Sequence, residues 1–244
     1  MYQTSVFYDE KVKAAIDRLR IHEPPEGYYL AFSGGKDSVV VKDLAEKAGV
    51  EFEAVYNFTT ADPPELVNFI REQHGDVRVS RPEISMWDLI PKKRMPPTRL
   101  VRYCCEFLKE RGGAGRRVVT GIRWQESPSR SERGMFERCR SDRGKTFLHP
   151  VIDWTEGEVW SYIKSEGVDY CSLYDEGFDR LGCVMCPMQG RSGMLRDAKR
   201  WGKFEKAYLL AFDRMLKARE QAGLKTDDNW STAEKVMRWW VDGS

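Results

Sequence analysis

No stretch of this 244-residue chain approaches the roughly 18 uninterrupted apolar residues that a membrane-spanning helix needs. Its opening, "MYQTSVFYDEKVKAA", has neither the positively charged start nor the apolar core of a secretion signal. A cytoplasmic protein without a membrane partner is therefore expected. Charge of one sign is not in excess either: 40 Lys and Arg face 38 Asp and Glu, a net of +2. That balance excludes a histone-like blanket of positive charge and leaves room for a local basic patch. Proline is sparse at 11 residues, 41% of the chain is hydrophobic, and no repeat or low-complexity linker breaks it, so a packed core is expected rather than disorder. The two common glycine-rich phosphate signatures, G-x-x-x-x-G-K-[ST] and G-x-G-x-x-G, are both missing.

What is there begins with alternation. Residues 8–21 carry apolar side chains at helical spacing and predict a leading amphipathic helix. "GYYLAFS" predicts a strand apolar on both faces, and 37–48 a helix stopped by Gly49. "FEAVYNF", "DPPELVNFIREQHG" and "DVRVS" continue as strand, helix and strand, followed by helices near 85–93 and 99–111 and a strand at "RRVVTGIR". Such alternation argues for an α/β fold with a mainly parallel sheet flanked by helices. Residues 123–147 read as a polar, arginine-heavy loop, and Thr155 with Glu158 forms a capping box ahead of another helix. Residues 171–195 read as irregular, and the remainder as helical and aromatic. One domain over 1–195 with a helical C-terminal extension over 196–244 is the expected organisation.

The stretch "FSGGKDSVV" follows the first strand directly. Gly34 and Gly35 allow close backbone approach, Lys36 adds a point charge, and Ser33 and Ser38 add hydroxyls at a helix N-terminus. The alternative is a plain glycine turn capped by Asp37; the full hexapeptide at the end of a first strand favours phosphate binding. The six cysteines, in a reducing compartment, do not read as a disulfide framework. They fall as the adjacent pair Cys104–Cys105, the singles Cys139 and Cys171, and the C-x-x-C of Cys183 and Cys186. Four thiolates can hold a 4Fe–4S cluster or a tetrahedral zinc ion. Eight arginines and no lysine lie in residues 116–143. Arginine forks suit phosphate or sulfate, and a solvated or nucleic-acid-facing surface is the other reading.

S-G-G-K-D-S resembles the PP-loop of the ATP pyrophosphatase superfamily, whose fold is Rossmann-like (adenine nucleotide alpha hydrolase-like). The C-C…C-x-x-C pattern resembles that of the phosphoadenosine phosphosulfate (PAPS) and adenylyl-sulfate reductase-like family and of related DNA phosphorothioation enzymes. "TGIRWQESPSR" and "HPVIDWTEGEVWSYI" resemble two further family segments, extending the likeness over residues 29–195. The resemblance implies a nucleotide site at Ser33, Gly34, Gly35, Lys36, Asp37, Ser38, Arg123 and Arg130, serving ATP with Mg²⁺. It further implies a 4Fe–4S cluster on Cys104, Cys105, Cys183 and Cys186. Asp62, in the family's threonine-rich loop, is read as a ribose or metal contact or as a helix cap.

One family feature is missing. Sulfonucleotide reductases attack sulfur with a cysteine in a Glu-Cys-Gly-[Ile/Leu]-His context, and residues 187–244 hold no cysteine. Reduction by that route is not expected. The reading is an ATP-dependent sulfurtransferase that splits ATP to AMP and pyrophosphate in DNA phosphorothioation or other nucleic-acid thiolation, with a cysteine desulfurase as possible sulfur donor. Lys36 and Asp37 are its expected catalytic residues, with Cys139, set among arginines that would favour its thiolate. A reductase using Cys139 as nucleophile and a non-catalytic nucleotide-sensing subunit are the alternatives. Trp201, Trp230, Trp239 and Trp240 read as core, with base stacking as the second choice.

Overall fold

The computed structural model describes residues 2–139, 144–225 and 227–243, with side chains from residue 9. Helix α1 (Tyr2–Ile21) leads into β1 (Tyr28–Phe32), whose apolar residues are nearly all buried, as a strand covered on both faces must be. α2 (Lys36–Ala48) follows at once and ends at Gly49, whose φ of 68° is the left-handed conformation that stops helices. β2 (Phe52–Asn57), α3 (Pro64–Gln73) and β3 (Arg78–Ser80) come next. Further along lie β4 (Arg117–Val119), β5 (Phe136–Arg138), β6 (Thr146–Leu148) and α6 (Glu156–Glu166). Among the described residues these strands form a six-stranded sheet in the order β3-β2-β1-β4-β6-β5, parallel except for the β5–β6 pair. The expected mainly parallel, Rossmann-like α/β fold is the one this chain builds.

Three local expectations are corrected. Residues 123–147 are not one open loop: they hold a short helix α5 (Pro128–Ser131) and the antiparallel β5–β6 pair. Residues 99–111 do not make a regular α-helix either. Cys105–Lys109 is a π-helical turn, closed by the Glu110 N–H donating to the Cys105 carbonyl at 2.9 Å. The stretch read as irregular to 195 already contains the start of α7 (Gly190–Arg200).

The chain gathers into two compact units that interleave in sequence. The first, residues 1–57, 65–80 and 112–181, carries the whole sheet. Tyr29, Val55 and Val118 from β1, β2 and β4 form a core cluster there, and α2 buries Val39, Val40, Val41, Leu44 and Ala45. The Thr155–Glu158 capping box starts α6 as expected. The second unit, residues 58–64, 81–111 and 182–244, carries α4 (Met86–Lys93), the π turn, α7, α8 (Gly202–Gln221) and α9 (Ala233–Gly243). In it Trp240 is fully buried against Tyr208 and Phe212 and donates its indole N–H to the Pro97 carbonyl at 2.5 Å. Trp201 is likewise core, whereas Trp230 and Trp239 are half-buried and meet edge to face at 5.1 Å. No helix among the described residues is long and apolar enough to cross a membrane.

His74, in the first unit, lies edge-on to Phe32 and Phe69, and its Nε2 is buried with no hydrogen-bond partner among the described residues. Burial, with Lys42 nearby, lowers its pKa below the usual histidine value. Burial also lowers His149, which sits between Thr120 and Glu137. The unfolded chain therefore takes up protons near pH 6.5 that the native state refuses, so stability falls as pH drops below that value. Urea unfolding of His74→Phe should show a shallower loss between pH 7.5 and 5.5 than the parent protein. An equal or steeper loss would contradict this assignment.

Candidate functional site

β1 is where the sheet changes direction: the chain runs outward through β2 and β3, then returns to the other side of β1 as β4. The loops leaving β1 and β4 thus flank the crevice at the carboxyl ends of the strands, where open α/β sheets bind ligands. The first of these loops is Ser33–Lys36 and the second Thr120–Arg123, both in the first unit.

Gly34 has a φ of +71°, and a Cβ there would lie 2.7 Å from Leu66 and 2.8 Å from Ile70. The loop is therefore pressed onto α3, and only glycine fits. The Ser38 hydroxyl donates to the Gly35 carbonyl at 2.8 Å and accepts from the Ser33 N–H at 3.2 Å, which closes the loop on itself. Lys36 is 4% exposed. Its ammonium donates to the Asp179 carbonyl at 2.9 Å and lies 3.3 Å from Glu156, while its backbone N–H donates to the Tyr174 hydroxyl at 2.8 Å.

Arg123 explains the next position. Its guanidinium, 3% exposed, donates through Nε to Asp37 at 2.6 Å and reaches the Trp154 carbonyl at 3.4 Å. Gly121 makes the approach possible, because a Cβ on it would meet the Asp37 backbone at 2.8 Å. Asp37 is thus gripped from the β4 loop. Arg130, on α5, forms an ion pair with Glu126 one turn earlier. Several other arginines of this stretch have structural partners. Arg117 donates to the His22 carbonyl and stacks on Phe136, Arg116 donates to the Gly27 carbonyl, and Arg133 pairs with Glu137. Arg140 and Arg143 lie outside the described residues. Cys139 is half-buried just after β5, its N–H donating to the Lys145 carbonyl at 2.9 Å, and Cys171 is fully buried.

The second unit holds the other four cysteines, none of them in a disulfide. Cys104 and Cys105 share a hydrogen bond that, with Arg102 beside it, pulls the Cys105 pKa down to about 5 and pushes Cys104 up. Burial raises Cys183 to about 11 and also raises Cys186. The Cys183 thiol donates to the Thr59 hydroxyl at 3.4 Å, and Arg102 donates to the Cys105 sulfur at 3.4 Å. Lys109, on the π turn, is held charged by Cys183, Asp62, Cys186 and Cys105. Asp62 is buried and accepts the Thr59 N–H at 2.7 Å, so it shapes its own loop. Four thiols from two segments, with Arg102 and Lys109 to offset thiolate charge, make a donor set of the type that holds iron–sulfur clusters. Among the described residues no three His, Cys, Asp or Glu side chains are gathered closely enough for a single metal ion.

Gly121, Tyr174, Arg102 and Lys109 were not singled out by sequence reasoning. Gly121 and Lys109 carried a signal in their spacing from Arg123 and Cys105, while Tyr174 carried none.

The sheet order and the loop after β1 are those of a PP-loop-type α/β fold. Residues 27–189 match the phosphoadenosine phosphosulfate reductase domain, and the chain belongs to that family. An adenosine 5'-phosphosulfate reductase of Staphylococcus haemolyticus is 25% identical over 83% of this chain and 88% of its own length. An uncharacterized protein of Methanocaldococcus jannaschii is 31% identical over 68% of this chain; the chain spans 43% of that relative, and 40% of a second one from the same organism. In fold, a PAPS reductase from Candida auris superposes with a TM-score of 0.55 at 19% identity, covering 72% of this chain and 93% of that one. An FMN adenylyltransferase of Candida glabrata gives 0.53 at 16% identity, covering 72% and 62%.

Proposed function

We propose that this member of the PAPS reductase family is an ATP-dependent, iron–sulfur sulfurtransferase-type enzyme that thiolates a nucleic acid, as in DNA phosphorothioation. The observation that carries the reading is the pairing of two features. One is a phosphate-type loop whose Lys36 and Asp37 are fixed by named partners, and the other is four cysteines brought into one unit.

Gly34, Gly35 and the first amides of α2 would seat the phosphates, with Lys36, Ser33 and Ser38 adding donors; Mg²⁺, when bound, would offset phosphate charge. Arg123 holds Asp37 in place, and Arg130 would bind an anion on release from Glu126. An acceptor oxygen attacks the α-phosphorus, pyrophosphate leaves, and a sulfur nucleophile then displaces AMP. Cys104, Cys105, Cys183 and Cys186 would hold the 4Fe–4S cluster, which supplies a site for sulfur or electrons. Cys139 is the candidate sulfur carrier: a cysteine desulfurase would load it as a persulfide whose outer sulfur displaces AMP, and an external thiol would then attack the Cys139 sulfur, breaking the S–S bond and freeing the thiolated acceptor.

Incubated with ATP, Mg²⁺ and acceptor DNA or tRNA, the protein should release AMP and pyrophosphate, and Lys36→Ala should slow this by at least about 100-fold. ADP and phosphate alone would sink the reading. Its rival is a sulfonucleotide reductase, favoured by the name of the Staphylococcus haemolyticus relative. Thioredoxin-dependent sulfite release that is lost in Cys139→Ser would support the rival.

A further inference from the structure

The loop that carries Cys183 and Cys186 is wired through its backbone, and the wiring converges on one buried carboxylate. Met185, between the two cysteines, has a φ of +56°, a left-handed conformation that a side-chain-bearing residue adopts only when its surroundings impose it. Its N–H donates to Oδ2 of Asp197 at 2.8 Å. The same oxygen accepts Nε2 of Gln189 at 2.7 Å, and that amide also donates to the Cys183 carbonyl at 3.2 Å. On the other side of the loop the Val184 N–H donates to the Ala61 carbonyl at 2.7 Å, and the Tyr208 hydroxyl donates to the Val184 carbonyl at 3.1 Å.

Asp197 lies on α7 and is only 2% exposed, with Arg196 Nε 3.7 Å from its other oxygen. A buried carboxylate is costly, and a leucine would fill the space without that penalty. What the carboxylate does, and an apolar side chain cannot, is accept two N–H donors that together fix the turn between the cysteines.

We infer that Asp197 is the positioning residue of the Cys183–Cys186 loop, presetting the two thiols as half of the cluster site; the cluster part of this inference rests on the iron–sulfur reading above. Gln189 is its auxiliary, joining the carboxylate to the Cys183 carbonyl. Without Asp197 the left-handed turn at Met185 loses its anchor and the two thiols lose their fixed spacing.

The test uses the full-length chain with two readouts. In metal-free protein, the rate of iodoacetamide alkylation at Cys183 and Cys186 is mapped by peptide mass, with buried Cys171 as internal standard. Asp197→Ala should raise both rates by about tenfold, the change expected when an anchoring hydrogen bond is lost from a loop that must open to react. Asp197→Asn, which keeps one accepting oxygen, should recover part of the protection. Asp242→Ala, which breaks the exposed ion pair between Arg191 on α7 and Asp242 on α9, should change nothing. After anaerobic reconstitution, iron and labile sulfide per chain should fall in Asp197→Ala and be partly restored in Asp197→Asn. Unchanged alkylation would overturn the inference. Faster alkylation in Asp197→Ala with no iron taken up even by the parent protein would uphold the loop anchor and overturn the cluster reading. If Asp197→Ala does not fold, Gln189→Ala decides: it leaves the Met185–Asp197 bond in place, and a smaller rise at Cys183 is expected, whereas no rise overturns the wiring.

Discussion

Replacing Arg123 with alanine should lower stability by about 3 kcal/mol and abolish nucleotide binding in the same variant. Its guanidinium is almost fully buried and bonds at once to the Asp37 carboxylate and the Trp154 carbonyl. Removing it leaves an acid at the start of α2 without its cation, and the Asp37 side chain is only 24% exposed, so water restores little of the loss. Breaking such a pair costs about 3–5 kcal/mol when both partners are buried, and partial exposure of Asp37 places this one at the low end. Arg123→Lys should recover less than half, because an ammonium cannot serve both acceptors as the planar fork does. Urea unfolding gives the stability and calorimetric titration with ATP the binding. A stability change below about 1 kcal/mol would mean that the pair behaves as a solvated surface bridge.

Gly34→Ala is expected to be nearly as severe, for a different reason. The residue sits at φ +71°, which costs an L-residue about 1–2 kcal/mol. Its new methyl would enter within 2.7–2.8 Å of the buried side chains of Leu66 and Ile70, adding about 1–3 kcal/mol of overpacking. A total near 2–5 kcal/mol follows, with the loop lifted away from α3 and ATP affinity lost. In a Leu66→Ala background, Gly34→Ala should cost less than in the parent protein, because one of its two obstacles is gone while Ile70 and the φ penalty remain. No cost at all in that background would show that strain in the backbone plays no part.

Much of this architecture could be read from the chain because the first unit is locally consistent. β1 is apolar on both faces, α2 has its stripe and its glycine stop, and Thr155 and Glu158 form the capping box their spacing predicts. β5 and β6 escaped because neither stands in an apolar run: Phe136–Arg138 presents exposed, half-buried and exposed residues at the sheet edge, and Thr146–Leu148 buries only Leu148. Three such residues carry no usable period. The π turn escaped because its i to i+5 bonding widens one turn without changing the residue types that suit a helix. π turns recur at functional sites, and this one carries Cys105 and Lys109.

Consecutive residues of the candidate site stand out in the sequence, whereas the contacts that join its distant residues do not. Ser33 to Ser38 announce themselves as one hexapeptide. The grip of Arg123 on Asp37, by contrast, spans 86 residues and exists only because β4 returns beside β1. Tyr174 reaches the Lys36 amide across 138 residues. Asp197 reads in sequence as one more charge on an exposed helix face; only burial distinguishes it from its neighbours. The arginine-rich stretch also looks different once folded. Arg116, Arg117 and Arg133 are tied to carbonyls, a carboxylate and aromatic rings of their own unit, so composition alone overstated the charge available to an outside anion.

What Cys104, Cys105, Cys183 and Cys186 hold decides the chemistry open to this protein. The deciding measurement is the absorption spectrum and metal content of the anaerobically purified protein. A broad shoulder near ~400 nm that bleaches with dithionite, with about four irons per chain, is the predicted result for a thiolate-ligated cluster. A colourless protein carrying one equivalent of zinc would contradict it.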